Sequence, residues 1–209
     1  MRLDSEVIEC PTCGKLYTRT VVLSGDTYGA TFWTDGKTEA PMLPSVPEMT
    51  KCDQCSTMFW VEEAHRPQEE NRKRISHHDR IRHLTTTECL DAIRNGKART
   101  DDEETYLRIL AWRGRNDAFR RTSVRQVTAT LDGDTPEMQL NMIKLLSLLN
   151  MQDSKHRLMK AEILRETGSF DDALKLLDES YPEQFSPYVE CIRKYCLRRD
   201  TKVREVDLE

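Results

Sequence analysis

Residues 8–60, the stretch that decides the fold, read IECPTCGKLYTRTVVLSGDTYGATFWTDGKTEAPMLPSVPEMTKCDQCSTMFW. The stretch opens with one Cys-x-x-Cys pair, Cys10 and Cys13, and closes with another, Cys52 and Cys55. Each pair places two thiolates on one tight turn, where both sulfurs reach a single metal ion and backbone N–H groups stabilise their charge. Two such turns complete a tetrahedral site with four sulfur ligands.

Four thiolates in a tetrahedron are typical of a structural zinc site. Soft sulfur ligands favour Zn²⁺, with iron as the main competitor. Catalytic zinc usually keeps an open position beside three protein ligands, whereas four cysteines close the shell. Gly14, directly after the first pair, suits the left-handed backbone of such a turn. We therefore predict no catalytic residue and one structural Zn²⁺ per chain, held by Cys10, Cys13, Cys52 and Cys55.

The interval between the two pairs, residues 14–51, is longer than the roughly 15–20 residues usual in zinc sites. It has room for structure of its own, because β-branched and aromatic residues predict strands on both sides of a Pro-rich loop. The predicted strands lie at residues 15–23, 30–34 and 57–63. This order of turns and strands resembles a zinc ribbon. It is also similar to the N-terminal region of uncharacterised bacterial proteins that join a zinc ribbon to a helical tail, a resemblance that implies no known activity.

Two alternative roles for the cysteine pairs stay open. The first is redox chemistry, but a redox Cys-x-x-Cys follows a strand and caps a helix, whereas the first pair here precedes a predicted strand. The second is that the four are unrelated buried cysteines.

The N-terminal MRLDSEVIEC has no apolar leader, and no apolar run approaches the roughly 20 residues of a membrane span. We therefore expect a cytoplasmic protein whose seven cysteines form no disulfide framework.

The charge of the predicted ribbon disfavours nucleic-acid binding. Residues 1–66 hold 6 Lys and Arg against 10 Asp and Glu. Binding of phosphates depends on cations that displace counterions, and this region supplies few. Trp33 and Trp60 are candidates for base stacking, but a small ribbon needs both of them in its core. We therefore expect the ribbon to act as a scaffold or in protein contacts.

The basic segment that follows is the alternative nucleic-acid site. Residues 67–99 hold 8 Lys and Arg against 5 Asp and Glu. The first part of this segment predicts a linker that runs into an exposed helix. On that helix Asp79 and His83 would share a face at i, i+4, but two ligands do not make a metal site. The candidate nucleic-acid residues are Arg72, Lys73, Arg74, Arg80 and Arg82.

The chain after residue 84 predicts α-helices. Gly96 is a stop signal, and residues 116–128 predict a separate helix. Because the fragment 85–209 contains no ligand set, we expect it to fold without zinc. The helix-start signals are Thr85 with Glu88, Thr100 with Glu103, and Thr135 before Pro136.

One helix pair resembles the tetratricopeptide (TPR) repeat. Residues 156–182 read HRLMKAEILRETGSFDDALKLLDESYP. Ala161 and Ala173 take the two small positions at which TPR helices approach closely, and Gly168 takes the turn. Arg157 departs from the pattern, because the family prefers a large apolar residue there. The resemblance implies a short TPR-like bundle with a surface for a protein partner, since one repeat cannot bury its own face.

These patterns together predict an α+β protein in three parts: a zinc-ribbon domain (1–66), a basic linker (67–84) and an α-helical TPR-like domain (85–209). The sequence has no phosphate-binding Gly-rich loop, no Gly-x-Ser-x-Gly turn and no His-Glu-x-x-His motif, so we predict no enzyme activity. The leading prediction is a non-catalytic zinc-binding protein whose helical region binds a protein partner. The alternative is a nucleic-acid-associated factor that uses the basic segment 72–99.

Overall fold

The structure, a computed structural model, describes residues 1–67, 79–120 and 135–208. The chain divides into two compact units. The first unit holds Met1–Ala30 with Ala40–Lys97, and the second holds Thr31–Glu39 with Ala98–Glu209. Small β-sheets and six α-helices occur in the described ranges, in agreement with the predicted α+β class.

The strands, in chain order, are β1 (Arg2–Glu9), β2 (Leu16–Ser24), β3 (Thr31–Trp33), β4 (Thr38–Glu39), β5 (Met49–Lys51), β6 (Met58–Trp60), β7 (Asp79–Arg80) and β8 (Glu205–Val206). The helices are α1 (Thr86–Arg94), α2 (Asp101–Arg120), α3 (Pro136–Leu148), α4 (Ser154–Glu166), α5 (Phe170–Leu177) and α6 (Ser186–Leu197). Two 3₁₀ turns lie at Val61–Glu63 and Glu183–Phe185.

The first unit contains two β-hairpins, the short strand β7 and the helix α1. β1 pairs antiparallel with β2, β7 joins the other edge of β2 in parallel, and β5 pairs antiparallel with β6. The small core between these strands contains Ile8, Tyr17 and Phe59 together with two of the cysteines. Trp60 is buried as predicted, and its indole Nε1 donates to the carbonyl oxygen of Lys97 at 2.9 Å.

The segment before α1 differs from its prediction. Residues 68–78 lie outside the described residues, and residues 79–80 form the parallel strand β7, so the predicted exposed helix is wrong there. Asp79 and His83 therefore do not share a helical face. Asp79 pairs with Lys15 at 2.8 Å, and His83 Nε2 lies 3.3 Å from the hydroxyl of Ser45.

The second unit consists of α2–α6 and a three-stranded sheet. Leu158, Ala161, Phe170 and Ala173 are buried in one core cluster formed by α4, α5 and α6. Ala161 and Ala173, the predicted small positions, are fully buried there. A second cluster surrounds Trp112 with residues of α3 and α4. Among the described residues, no helix is long and apolar enough to cross a membrane.

The ends of these helices follow the predicted signals. Thr85 and Glu88 form the capping box of α1, and the hydroxyls of Thr100 and Thr135 cap α2 and α3. Glycine completes two C-terminal caps, because Gly96 and Gly168 have φ of +64° and +84°. The separate helix predicted at 116–128 is wrong in its described part, since α2 continues without a break through Gly114 to Arg120. Residues 121–128 lie outside the described residues.

The strand predicted at 30–34 exists but belongs to the other unit. β3 pairs with β4 and with β8, and all three strands are part of the second unit. Trp33 is consequently not a core residue of the ribbon, and the guanidinium of Arg120 lies 5.3 Å from the centre of its ring. The two units therefore depart from the predicted boundaries twice: residues 31–39 join the helical unit, and α1 joins the cysteine unit.

Candidate metal centre

Each cysteine pair lies on the turn of one hairpin in the first unit. Cys10 and Cys13 connect β1 to β2, and Cys52 and Cys55 connect β5 to β6. The two turns have the same backbone hydrogen bonds. Cys10 N donates to Lys15 O at 2.9 Å and Cys52 N donates to Thr57 O at 2.9 Å. One local conformation thus occurs twice and presents two pairs of thiols.

The residue after each pair has a left-handed backbone. Gly14 has φ of +71°, as its position predicts, and its N–H donates to Cys10 O at 3.0 Å. Ser56 takes the equivalent place in the second turn with φ of +60°, and its N–H donates to Cys52 O at 2.8 Å. A serine gives no sequence signal for this conformation, which ordinarily favours glycine.

The four sulfur atoms form a compact cluster. Cys10 Sγ and Cys55 Sγ are 3.7 Å apart, Cys13 Sγ and Cys52 Sγ are 3.6 Å apart, and all four lie within 4.8 Å of one another. Cys10 and Cys52 are buried, and the other two are partly exposed. The cysteines are thus close enough to hold a metal ion, and the arrangement is consistent with a zinc-ribbon-like site.

A polar group supports the cluster on one side. The hydroxyl of Tyr17 lies 3.2 Å from Cys52 Sγ, contacts the carboxylate of Asp53, and accepts from Asp53 N at 3.0 Å. Lys15 pairs with the same carboxylate at 2.7 Å. The hydrogen bonds from Lys15 and Tyr17 lower the pKa of Asp53 to about 2, so this side group is anionic at neutral pH.

The environments of the thiols differ in their effect on ionisation. Burial raises the pKa of Cys52, but the hydrogen bonds from the Tyr17 hydroxyl and from the backbone N–H groups of Cys55 and Gln54 together have the larger, opposite effect. The pKa of Cys52 is therefore lowered to about 6. A backbone hydrogen bond lowers the pKa of Cys13, whereas burial and the neighbouring thiols raise it to about 12. Four thiolates at this spacing repel one another, and a bound cation removes that repulsion.

The candidate nucleic-acid residues are only partly placed by the structure. Arg72, Lys73 and Arg74 lie outside the described residues. Arg80 is exposed on β7. The guanidinium of Arg82 donates two hydrogen bonds of 2.7 Å to Glu88, and this contact lowers the pKa of Glu88 to about 2. Arg82 therefore neutralises the capping residue of α1.

A buried charge cluster in the second unit was not predicted. Asp35 has no exposed surface, and its carboxylate contacts the guanidinium of Arg120 and accepts from Asn116 Nδ2 at 3.0 Å. Asn116 Nδ2 also donates to Glu166 at 2.9 Å. Glu166 accepts two further bonds, from Trp112 Nε1 at 2.8 Å and from Arg115 at 3.2 Å. This network joins the β3–β4 turn to α2 and α4.

The sequence carries only a weak signal for this cluster. Asp35 and Gly36 predict a turn, and the structure confirms it, with Gly36 N donating to Trp33 O at 2.8 Å and φ of +73° at Gly36. The carboxylate of the same aspartate is also the buried partner of two α2 side chains. Glu162 and Arg165, a second buried pair at 2.6 Å, lie within α4.

Comparison of the chain with protein-family models, with curated proteins and with solved structures gives no match. The class of site therefore rests on the geometry of the four cysteines alone.

The two left-handed turn residues allow a matched test of the site. We expect Gly14→Ala to weaken metal binding by about fivefold, because a side chain at positive φ costs about 1 kcal/mol. Apart from Gly14 and its two chain neighbours, no residue has a heavy atom within 4 Å of the position of the new Cβ, so we attribute the expected effect to backbone strain. Ser56→Gly removes the same strain and should leave affinity equal or higher. Competition with a chromophoric chelator measures the metal affinity of both variants. Equal losses of affinity in the two variants would contradict the role assigned to the left-handed backbone of the turns.

Proposed function

We propose that this chain is a non-catalytic interaction protein of the cytoplasm, with one structural Zn²⁺ held by Cys10, Cys13, Cys52 and Cys55. The observation that carries the metal assignment is the sulfur geometry. A tetrahedral Zn²⁺ with Zn–S distances of about 2.3 Å requires S···S distances of about 3.8 Å. Two of the S···S distances are 3.6 and 3.7 Å, and all four sulfurs lie within 4.8 Å of one another, which supports the assignment of this ion.

The ligand set supports a structural role for the metal. Four thiolates fill a tetrahedral shell and leave no position for water or substrate. Among the described residues, this is the only group of at least three His, Cys, Asp or Glu side chains arranged to hold an ion, and it contains cysteines alone. When bound, the ion would cross-link the turns of two hairpins whose shared core is small.

The helical unit is the proposed surface for a protein partner. The α4–α5 pair has the buried small residues of the TPR pattern at Ala161 and Ala173, which supports our interpretation of a TPR-like arrangement. Two large apolar side chains of α3, Leu140 and Ile143, are 54% and 63% exposed. Affinity capture with the zinc-loaded chain, with and without nuclease, tests this function. We expect a protein that is retained after nuclease treatment.

A direct binding assay distinguishes the proposed function from the nucleic-acid alternative, which requires tight binding to RNA or DNA. We expect single-stranded RNA and DNA to bind with a Kd weaker than about 1 µM at physiological salt, because few cations are available to displace counterions. Of the candidates, Arg82 is already paired with Glu88. Fluorescence anisotropy of labelled oligonucleotides, measured at rising salt, provides the test.

A triple variant, Arg72→Ala with Lys73→Ala and Arg74→Ala, should remove most of the weak binding that remains at low salt. Lys175→Ala is the matched control, since this lysine is exposed on α5 and lies far from the basic segment in sequence. Sub-micromolar, sequence-selective binding at physiological salt would make the nucleic-acid alternative the better function.

A further inference from the structure

A cavity of about 580 Å³ opens within the helical unit. Its volume is within the range of roughly 300–1,000 Å³ that is typical of ligand pockets. The C-terminal half of α2, the helix α3, the end of α4 and the segment after α6 contribute its lining. All of these elements belong to the second unit.

One part of the cavity wall is apolar and continues onto the surface. Phe119, Met142, Leu146 and Leu164 line it together with Ile143. Ile143 is also 63% exposed, and Leu140 precedes it by three residues on α3, so the two side chains are neighbours on one helix face. We call this face the Leu140–Ile143 strip. A compact small molecule inside the cavity would leave the strip uncovered, whereas a peptide segment covers both.

The polar groups of the lining favour a negatively charged ligand. The cations are Arg115 and Lys202, and the carboxyl group is Glu166. Glu166 is already compensated from inside the protein, because Trp112, Asn116 and Arg115 donate to it. Burial and the nearby carboxylates of Glu162 and Asp35 raise the pKa of Glu166 to about 8. Because Arg115 pairs with Glu166, the positive charge that the cavity presents to a ligand is that of Lys202.

We propose that this cavity and the Leu140–Ile143 strip bind a partner segment that carries a large apolar side chain next to Asp or Glu. This inference rests on the proposed function and specifies the chemistry of the partner. The apolar side chain fills the cavity and displaces water from its wall. The adjacent carboxylate pairs with the ammonium of Lys202, which is exposed and lies 6.0 Å from the ring centre of Phe119.

Selection from a phage-displayed library of random peptides tests the proposal with the zinc-loaded full chain. We expect enrichment of peptides in which Leu, Phe or Trp stands beside Asp or Glu. Fluorescence anisotropy of the synthesised peptides should then show binding at least about tenfold weaker to Lys202→Glu, because charge reversal replaces attraction by repulsion. Ile143→Asn should weaken binding by a similar factor. Both positions are exposed, so we expect both variants to fold.

Lys175→Glu is the matched control, because it makes the same charge change at an exposed lysine that does not line the cavity. Its affinity should stay within about twofold of the wild type. Peptides that bind equally well to Lys202→Glu and Ile143→Asn would overturn the cavity site while leaving a protein partner elsewhere on the helical unit. Enrichment of peptides without acidic residues, or of none, would also overturn it. Capture of a protein partner then tests the proposed function separately.

Discussion

Replacing Cys52 with serine is expected to abolish tight zinc binding and to unfold the cysteine unit. Structural zinc sites contribute about 10–16 kcal/mol of binding free energy at neutral pH, which is folding free energy when the site does not exist in the unfolded chain. Cys52 is fully buried and lies beside Cys13 and Tyr17. Elemental analysis of the wild type should give one zinc per chain, and the variant should give much less.

The indole of Trp60 reports the unfolding of this unit, because its Nε1–H is bonded to Lys97 O in the native fold. The NMR signal of the indole N–H proton should lose its native chemical shift in Cys52→Ser. Removal of zinc by a chelator should cause the same loss in the wild type. Cys191→Ser is the control, since this thiol lies in the second unit and its hydrogen-bond contact is Glu205 O at 3.5 Å. It should keep one zinc. Purified wild type without bound metal, or with iron in its place, would contradict the zinc assignment.

Replacing Asp35 with asparagine is expected to destabilise the helical unit by about 3 kcal/mol. The variant removes the negative partner of a buried charge, and breaking such a pair typically costs about 3–5 kcal/mol. The contact between Asp35 and Arg120 is almost free of solvent, with side chains 0% and 2% exposed. Arg120 keeps its contact with Asp117 at 2.5 Å. The expected loss of unfolding free energy therefore lies at the lower end of that range. Denaturant unfolding followed by helical circular dichroism measures it.

Three further variants separate the effect of charge from that of the substitution itself: Asp172→Asn, Arg120→Gln, and the double variant of Asp35→Asn with Arg120→Gln. Asp172→Asn makes the same change in an exposed pair with Lys175, and its cost should stay below about 0.5 kcal/mol. Adding Arg120→Gln to Asp35→Asn should restore about 1 kcal/mol, because the unpaired buried cation is removed. A double variant as unstable as the sum of the two single variants would show that the two charges are not coupled.

The same contacts change the expectation for the fragment 85–209. The sequence predicts that this fragment folds by itself, because it contains no metal ligands. In the structure the second unit includes Thr31–Glu39, which supplies β3, β4 and the buried carboxylate of Asp35. A chain that starts at residue 85 leaves Arg120 and Asn116 without that carboxylate. The structure therefore favours an unstable fragment, even though the fragment contains none of the four clustered cysteines.

The two cysteine turns were predictable from the sequence because each turn is a local structure. A spacing of two residues between paired cysteines predicts a turn that presents two thiols, and Gly14 after the first pair favours the same turn. The cluster forms when the fold brings the two turns together. The helix starts were local as well, since Thr85, Thr100 and Thr135 cap the residues that directly follow them. Strand β1 gave a weaker signal, because four of its eight residues are exposed and its polar residues do not alternate regularly.

The amino-acid sequence by itself determined the four-cysteine cluster, the caps of three helices and the small residues of the α4–α5 pair. The caps and the two separate cysteine turns depend on residues a few positions apart, where backbone geometry fixes which groups meet. The repeated Cys-x-x-Cys pattern indicates that the two turns share one site, although their sulfurs are 39 and 45 positions apart. Only the tertiary structure decided that residues 31–39 belong to the helical unit and that Asp35 is buried against Arg120 and Asn116, 85 and 81 positions away. A buried carboxylate and an exposed turn carboxylate look alike in the sequence. What distinguishes them is a cation and an amide that the fold brings together.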